Sequence, residues 1–558
     1  QTSGPTLITR QVELSSRGGS KVYIDSLEVE LDFWRSIRSR QFFTKDFVIS
    51  GAELTFEQNA LVNSAEDIGD NEETDERLID SLSTILLEQI SRFSIRDSHV
   101  LYRSIAGERA FTINEILLDF KGQSFSNLSG QAYLEANEID ITPWLGRVLA
   151  IKDANTHSAI NFNAWLNITA GEPESIQLAL GNNKITWQHL DKEQSFEIIG
   201  GDVKIKTLDE LQFSLATSAL TIKRNGIETN KLSLLANVDG DNVNGYISAL
   251  ELASFTGISP LLLNDVALEN LLLDLAAVGR VENIYFRKNN DDLAIAAEFN
   301  NVNSHFSHGI PGIDNVSGEL VYLNDQLQIS LNAVDGALNF DKHFKYPIPY
   351  TGLSSQINVQ FLADGWQLSV EDVEFSSQAL NLTADVKVQP ITMSLLANVS
   401  DGNAKYAEYF YPHLLMGQGL VDYLNGAIVN GKVNQALVLF NGPLQSFPFD
   451  HHEGIFVVDA ELSESTFKFD SEWPAINNFS ANLNFTNNSM LITGRAGQLS
   501  GIDVSGVEAA IASLSDGQVL TVDADFTDVL PQQVSQLMDA SPMQDSIGVT
   551  LEQVVISG

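Results

Sequence analysis

Apolar residues recur at every second position over long stretches of this chain. In LNLTADVKV they are Leu380, Leu382, Ala384, Val386 and Val388; in ITMSLLANV they are Ile391, Met393, Leu395, Ala397 and Val399. INFNAWLNI repeats the pattern with Ile160, Phe162, Ala164, Leu166 and Ile168. A period of two sends successive side chains to opposite faces of a strand. Each segment therefore has one apolar and one wet face, as antiparallel sheets do. The fold class this predicts is mainly β.

At 558 residues the chain exceeds one ordinary core, so it is either several domains or one elongated repeat body. Hydrophobic residues at 44% with charged ones at 19% mark a folding chain rather than a disordered one. The net charge of −41 argues against nucleic acid, whose binding needs Lys and Arg to displace counterions. The acid excess reads as a solubilising outer face. With no cysteine, disulfides, thiolate zinc sites and cysteine nucleophiles are excluded. The chain opens on Gln1 and closes on Gly558 just after VVIS, which reads as a piece of a longer protein.

Along the chain, KVYIDSLEVELDF alternates Val22 and Ile24, then Val29, Leu31 and Phe33. Arg35, Arg38, Arg40 and Lys45 form a basic island, read as a solvated turn in preference to a seat near anionic headgroups. Acids crowd 66–76 in an expected exposed loop, followed by an expected amphipathic helix over 77–93 carrying Leu78, Leu82, Ile85, Leu86, Ile90 and Phe93. Its polar face lacks the basic residues of interfacial helices, so its stripe is expected to pack on the sheet. DITPWLGRVL, ELASFTGISPLL and DVLPQQVSQLM each read as a strand end running into a short helix beside a proline. YAEYFYPHLL and GQGLVDYLNGAI read as short helices, and ALVLF, GIFVVDAEL and FSANLNF as strands.

An internal repeat is legible. PGIDNVSGELVYLNDQLQI from Pro311 matches PAINNFSANLNFTNNSMLI from Pro474, with Ile313/Ile476, Asn315/Asn478 and Leu320/Leu483 in step. Each copy reads as a hairpin turning at Asn324–Asp325 or Asn487–Asn488. A repeated hairpin favours a body extended by stacking.

Chemistry is hard to find. His305 and His308 lie in a loop, and His451 and His452 are adjacent, which on a strand would point them apart. A metal needs three or four convergent ligands. The run 240–251 approximates a calcium loop but begins with glycine where an aspartate is needed. No nucleophile elbow, zinc-protease motif, phosphate loop or dinucleotide fingerprint occurs, and no carboxylate pair stands out. The sequons at Asn167, Asn381 and Asn484 fall within expected strands and read as wet-face asparagines. The expected helices are too few to cover so many apolar strand faces. Two solutions remain open: a second sheet packed on the first, or one sheet curled into a trough. An open apolar trough would aggregate unless it carried an apolar ligand.

The runs YFYPHLLMGQGLVDYLNGAIVNG, GPLQSFPF, GIFVVDAEL and WPAI closely resemble the YhdP group of AsmA-like proteins, which are Gram-negative envelope proteins. SLEVELDFWRSI, FSIRDSHVLY, EIDITPWLGRVL and DSIGVTLEQVVISG extend the resemblance over nearly the whole chain in the same order. It implies a long twisted antiparallel sheet curled into an open, taco-like hydrophobic groove of the bridge-like lipid-transfer type. The implied function is phospholipid transport between inner and outer membranes, by passive sliding of acyl chains along the groove. The body would lie in the periplasm. It would be anchored in the inner membrane by an N-terminal helix and reach the outer membrane through a C-terminal part, both outside this chain. Bound phospholipid is the expected cargo; no enzymatic activity, cofactor, metal or nucleic acid is expected.

On that footing the expected parts are an N-terminal β segment of the groove at 1–60, an acidic loop and helix at 61–93, and an extended β groove at 94–400. A helical insertion at 401–430 and a groove continuation at 431–558 complete it. The expected groove lining is Leu380, Leu382, Ala384, Val386, Val388, Ile391, Met393, Leu395, Ala397 and Val399, with Ile160, Phe162 and Leu166 added. The alternation by itself fits an ordinary core equally well. A structural or adhesive β-repeat protein with a dry core is thus the other reading, and a carbohydrate-active enzyme on a β scaffold a third.

Overall fold

Period-two alternation has produced strands almost throughout. The computed structural model describes residues 4–15, 21–57, 87, 89–104, 107–124, 127–139, 157–170, 172–189, 192–209, 212–224, 227–228, 231–254, 266–289, 292–414, 416, 418–514, 519–526 and 529–548. Two units divide the chain, 1–270 with 281–293 and 271–280 with 294–558.

The first unit begins with β1 (Thr6–Ser15), β2 (Lys21–Leu31), helix α1 (Phe33–Ser39) and β3 (Thr44–Glu57). It continues through β4 (Phe93–Ser104), β5 (Gly107–Ser124), β6 (Asn127–Ile139), β7 (His157–Thr169) and β8 (Glu172–Leu180). Then come β9 (Asn183–His189), β10 (Lys192–Asp209), β11 (Gln212–Arg224), β12 (Ile227–Glu228), β13 (Leu234–Asp239) and β14 (Asn242–Glu251). Neighbours pair antiparallel, except β3 and β4, which run parallel. The calcium-like run is a hairpin here, Asp239 facing Asn242 across Gly240. Helix α2 (Val266–Leu275) and β15 (Val278–Asn289) follow in the chain.

The second unit contains β16 (Asp292–Ser304), β17 (Gly312–Leu323), β18 (Gln326–Ala333), β19 (Gly336–Asn339), β20 (Ile348–Tyr350), β21 (Gly352–Leu362) and β22 (Gly365–Ser376). Next are β23 (Asn381–Val388), β24 (Thr392–Asn403), helix α3 (Gln418–Ala427), β25 (Ile428–Pro443), β26 (Ile455–Phe467), β27 (Ile476–Thr486) and β28 (Ser489–Leu499). The short strands β29 (Ile502–Asp503), β30 (Glu508–Ile511) and β31 (Leu520–Asp523) precede helix α4 (Pro531–Asp539). Strands in this unit pair antiparallel, for example β17–β18, β18–β21, β21–β22, β22–β23, β23–β24 and β24–β25. The β19–β20 pair makes a flap between β18 and β21. Both repeated hairpins form as read, β17–β18 and β27–β28. Asn324 and Asp325 both take positive φ, 49° and 59°, the two-residue turn that suits strand twist.

The strands bend at bulges. Asn301, Asn315, Asp372, Asp401, Glu464 and Asn478 all sit at φ between 50° and 56° in neighbouring strands. Register shifts accompany most of them, as between Val370 and Val373 on β22 and between Leu462 and Ser465 on β26. A bulge inserts one residue, bends the strand and increases its twist. Asn and Asp suit it because their short side chains tolerate the left-handed conformation and bond locally. Asp385 Oδ1 accepts from Asp372 N at 3.1 Å, and Asn303 Oδ1 accepts from Asn315 N at 2.9 Å. In the first unit Gln11, Gly51 and Asp97 take the same role in β1, β3 and β4.

Two buried clusters flank the bent sheet of the second unit. One gathers Val316, Ala333, Ile348, Tyr350, Leu353 and Phe375 beneath the β19–β20 flap, with Phe410 packed on it. Burial pushes the Tyr350 hydroxyl pKa up to about 12. The other gathers residues of β26–β30, including Phe479, Leu483, Met490 and Ile492, under Val504 and under Leu537 of α4. Pro531 opens α4, as the proline beside DVLPQQVSQLM indicated, and Gln533 Oε1 accepts from Leu530 N at 2.8 Å.

Several expectations need adjusting. Phe33 does not continue the alternation of β2; it opens α1, so the basic island sits on and after a helix rather than in a turn. The expected helix over 77–93 falls mostly outside the described residues, as does the acidic loop before it. Its last residue, Phe93, opens β4, and Ile90 bridges to Thr44. DITPWLGRVL and most of ELASFTGISPLL also lie outside the described residues.

Candidate functional site

The alternating residues of β23 and β24 meet as direct cross-strand pairs. Leu382 faces Val399, Ala384 faces Ala397, Val386 faces Leu395 and Val388 faces Met393. Opposed residues in an antiparallel pair share a face. These two strands therefore bring eight of the expected lining residues onto one surface.

That surface continues through the neighbouring strands. On one side, Val386 is opposed by Val370, Val370 by Ile357, Ile357 by Ile329, and Ile329 by Leu320. On the other, Leu395 is opposed by Phe440 and Phe440 by Phe456. A second row runs parallel, from Ile295 and Tyr322 through Leu327, Val359 and Leu368 to Val388 and Met393. Seven strands, β16 to β24 without the flap, at about 4.8 Å spacing give a lane about 30 Å long. That is about two leaflet thicknesses of hydrocarbon.

Cover along the lane is partial. From Leu320 to Leu395 the first row is half-buried, neither closed over nor fully open. The opposite face is mainly polar and exposed: Asp385, Lys387, Ser394 and Asn398 lie on it, with Val321 and Leu396 as exposed apolar exceptions. Side chains there bond to one another, Ser394 Oγ to Asn441 Oδ1 at 2.8 Å and Ser330 Oγ to Gln356 Oε1 at 2.6 Å. Unequal exposure of the two faces is what a curled sheet gives when its apolar side lines the concavity.

Three boundaries define the lane. The flap cluster closes one edge, and Leu380 and Leu382 pack against it. The hairpin tips form the opposite edge, where Leu323, Phe361, Leu362 and Trp366 are exposed. Tyr322 reaches this edge with its hydroxyl donating to Asp325 Oδ1 at 3.2 Å, and burial, then that bond, raises its pKa. The third boundary is aromatic. The β25–β26 connection folds back and sets Phe447 and Phe449 on Phe440, with ring centroids 6.0 and 5.2 Å away. Beyond it, strands β26–β30 hold the dry core.

The thirteen expected residues thus divide. Val386, Val388, Met393 and Leu395 line the half-covered lane, with Leu382 and Val399 toward its closed edge. Ala384 and Ala397 are buried beneath their larger neighbours. Leu380 precedes β23. Ile391 lies in the turn before β24, 67% exposed, so it belongs to the tip edge and not to the strand face. Ile160, Phe162 and Leu166 lie in the first unit, half-buried on β7. There Phe162 is flanked by Leu134 and Leu180, and Leu166 by Gly130 and Ile176. Sequence reasoning missed Tyr322, Leu327, Ile329, Ile357, Val359, Leu368 and Val370. Their signal was the same period-two alternation in ELVYL, QLQISLNA, QINVQFL and WQLSVED.

The lane offers aliphatic and aromatic carbon and no acid, base or nucleophile at its half-buried centre, so it can hold an apolar chain. Among the described residues no group of three or more His, Asp or Glu is placed to hold a metal. No helix among them is long and apolar enough to cross a membrane.

The class of protein defined here is a mainly β protein whose bent sheet carries a half-covered apolar lane. The family model described as YhdP protein matches residues 1–558, and the chain belongs to that family. It is 23% identical over 610 residues to a protein named intermembrane phospholipid transporter YhdP, from Escherichia coli strain K12. That alignment takes in 100% of this chain and 47% of the relative, so the chain spans about half the relative's length.

Proposed function

We propose that this chain carries phospholipid between the two membranes of a Gram-negative envelope, with acyl chains lying in the half-covered lane. The observation that carries this reading is the continuous row from Leu320 to Leu395, half-buried on one face of a sheet whose other face is mainly polar. Each methylene taken out of water contributes about 0.8 kcal/mol, so a chain in the lane is held firmly. Neighbouring strands present equivalent contacts at regular steps, so a shift along the row exchanges like for like and the barrier to sliding stays low. Headgroups remain in water along the tip edge. Val386, Val388, Met393 and Leu395 form the floor, and Phe162 and Leu166 do the same in the first unit. A periodic arrangement of this kind suits a periplasmic body spanning between inner and outer membranes. Anchorage to either membrane would come from parts of the longer protein.

The dry core of β26–β30 favours a second reading, a structural β body without cargo. Both are decided by purifying the chain without stripping detergent and measuring extracted phospholipid by mass spectrometry. Carriage predicts bound phospholipid, and a loss of about tenfold or more in Val386→Asp with Leu395→Asp. Two methylene contacts are worth about that much. Leu382 is left intact because it packs on the flap cluster. Absence of lipid from the folded parent chain would favour the structural reading.

A further inference from the structure

Helix α1 and the residues after it present apolar side chains to solvent in an unusual setting. Trp34 is 73% exposed, Phe42 64% and Ile37 57%, and Phe33 is exposed as well. Phe33, Trp34 and Ile37 fall within about 100° of arc on the helix, so they share one side. Phe33 and Trp34 rings meet edge to face at 5.4 Å.

The helix is fastened from the other side. Ser36 Oγ accepts from Phe43 N at 2.9 Å and donates to Phe43 O at 3.2 Å. Phe43 itself is buried, with the Arg35 guanidinium 4.1 Å above its ring. Asp32 caps the first turn, its Oδ1 accepting from Arg35 N at 3.1 Å. Two consecutive phenylalanines thus part ways: Phe43 anchors and Phe42 projects.

Charge sets this patch apart. In a chain of net charge −41, Arg35, Arg38 and Arg40 stand within six residues with no acid among them. Lys45 is taken by Glu30 at 3.1 Å, whereas no carboxylate among the described residues pairs with Arg38 or Arg40. Exposed Trp and Phe flanked by unpaired Arg is the pairing that binds an anionic bilayer surface. Aromatic rings settle at headgroup level, and each cation near the surface contributes about 1 kcal/mol. Screening over about 8 Å at physiological salt confines the repulsion from distant acids.

We propose that α1 with Phe42 and Arg40 is a docking element for an anionic phospholipid bilayer, inserting Trp34, Ile37 and Phe42 at headgroup depth. This contact is separate from cargo carriage and does not need the lane to hold lipid. The absence of native cysteine gives a clean probe. Ile37→Cys in the full chain, labelled with an environment-sensitive fluorophore, is titrated with vesicles of phosphatidylcholine alone or with phosphatidylglycerol at three to one. Thr383→Cys, exposed on the face of β23 turned away from the lane, is the control. The expected result is a blue shift at position 37 with anionic vesicles, little with neutral ones and none at 383. Arg38→Gln with Arg40→Gln should weaken vesicle partitioning about thirtyfold, at about fivefold per basic residue. Trp34→Ser with Phe42→Ser should abolish the shift while circular dichroism is kept. No shift at 37 with anionic vesicles, an equal shift with neutral vesicles, or an equal shift at 383 would each overturn the proposal.

Discussion

Strands β21–β24 and strands β26–β30 share the same alternation, the same bulge chemistry and the same unit, yet one set is half-covered and the other is sealed. On β23 the inner positions Val386 and Val388 stay half-buried, whereas on β28 Met490 and Ile492 are fully buried. The difference lies outside the strands. Over β26–β30 the chain supplies Val504, the β29–β30 segment and Leu537 of α4 as a lid. Between the two regions Phe447 and Phe449 cover Phe440. Over the middle of β21–β24 no described element does so, and the flap cluster covers only the end carrying Leu353 and Phe375. Amphipathic strands fix which face is apolar; covering segments distant in sequence decide whether that face becomes a core or a lane.

Stability measurements sharpen this contrast. Phe479 is 4% exposed and stacks on Phe467 at 5.6 Å, so Phe479→Ala should cost about 3–5 kcal/mol in urea unfolding. The bulges, shared by both regions, should respond alike. Asn478→Val and Asp372→Val force β-branched residues to φ near 50°, which should cost about 1–2 kcal/mol each by the same assay. Asn478→Gly should restore stability to within a few tenths of the parent. Leu395→Ala, in the half-covered lane, should cost only about 1 kcal/mol, since its side chain already meets water. Equal losses for Phe479→Ala and Leu395→Ala would erase the distinction between core and lane.

Much of this was legible in the sequence. The mainly β class, the apolar set on β23 and β24, and both copies of the repeat follow from alternation and turn residues. The shared Asn315 and Asn478 of the repeat are bulge residues, φ 56° and 51°. A further signal was present: the alternation slips phase at each bulge, from Val370 to Val373 and from Leu462 to Ser465, by three residues instead of two. The extra residue keeps apolar side chains on one face while bending the strand. What could not be read was cover. Ile391 fits the alternation of ITMSLLANV but sits in a turn, because Gln389 N closes the hairpin on Thr392 O at 2.9 Å. Phe33 likewise fits the pattern of β2, yet the Asp32 cap starts a helix there. Leu382 and Val386 look equivalent in sequence, and only the flap from β19–β20 separates them.

The most direct test places a photo-crosslinking amino acid at Val386, at Lys387 on the opposite face, and at Ile492 in the sealed core, in cells labelled with radioactive phosphate. A lane occupied by phospholipid gives labelled adducts at 386 and none at 387 or 492. Adducts at none of the three in a folded, expressed protein, or equal labelling at 386 and 387, would contradict the lane as the path of the lipid.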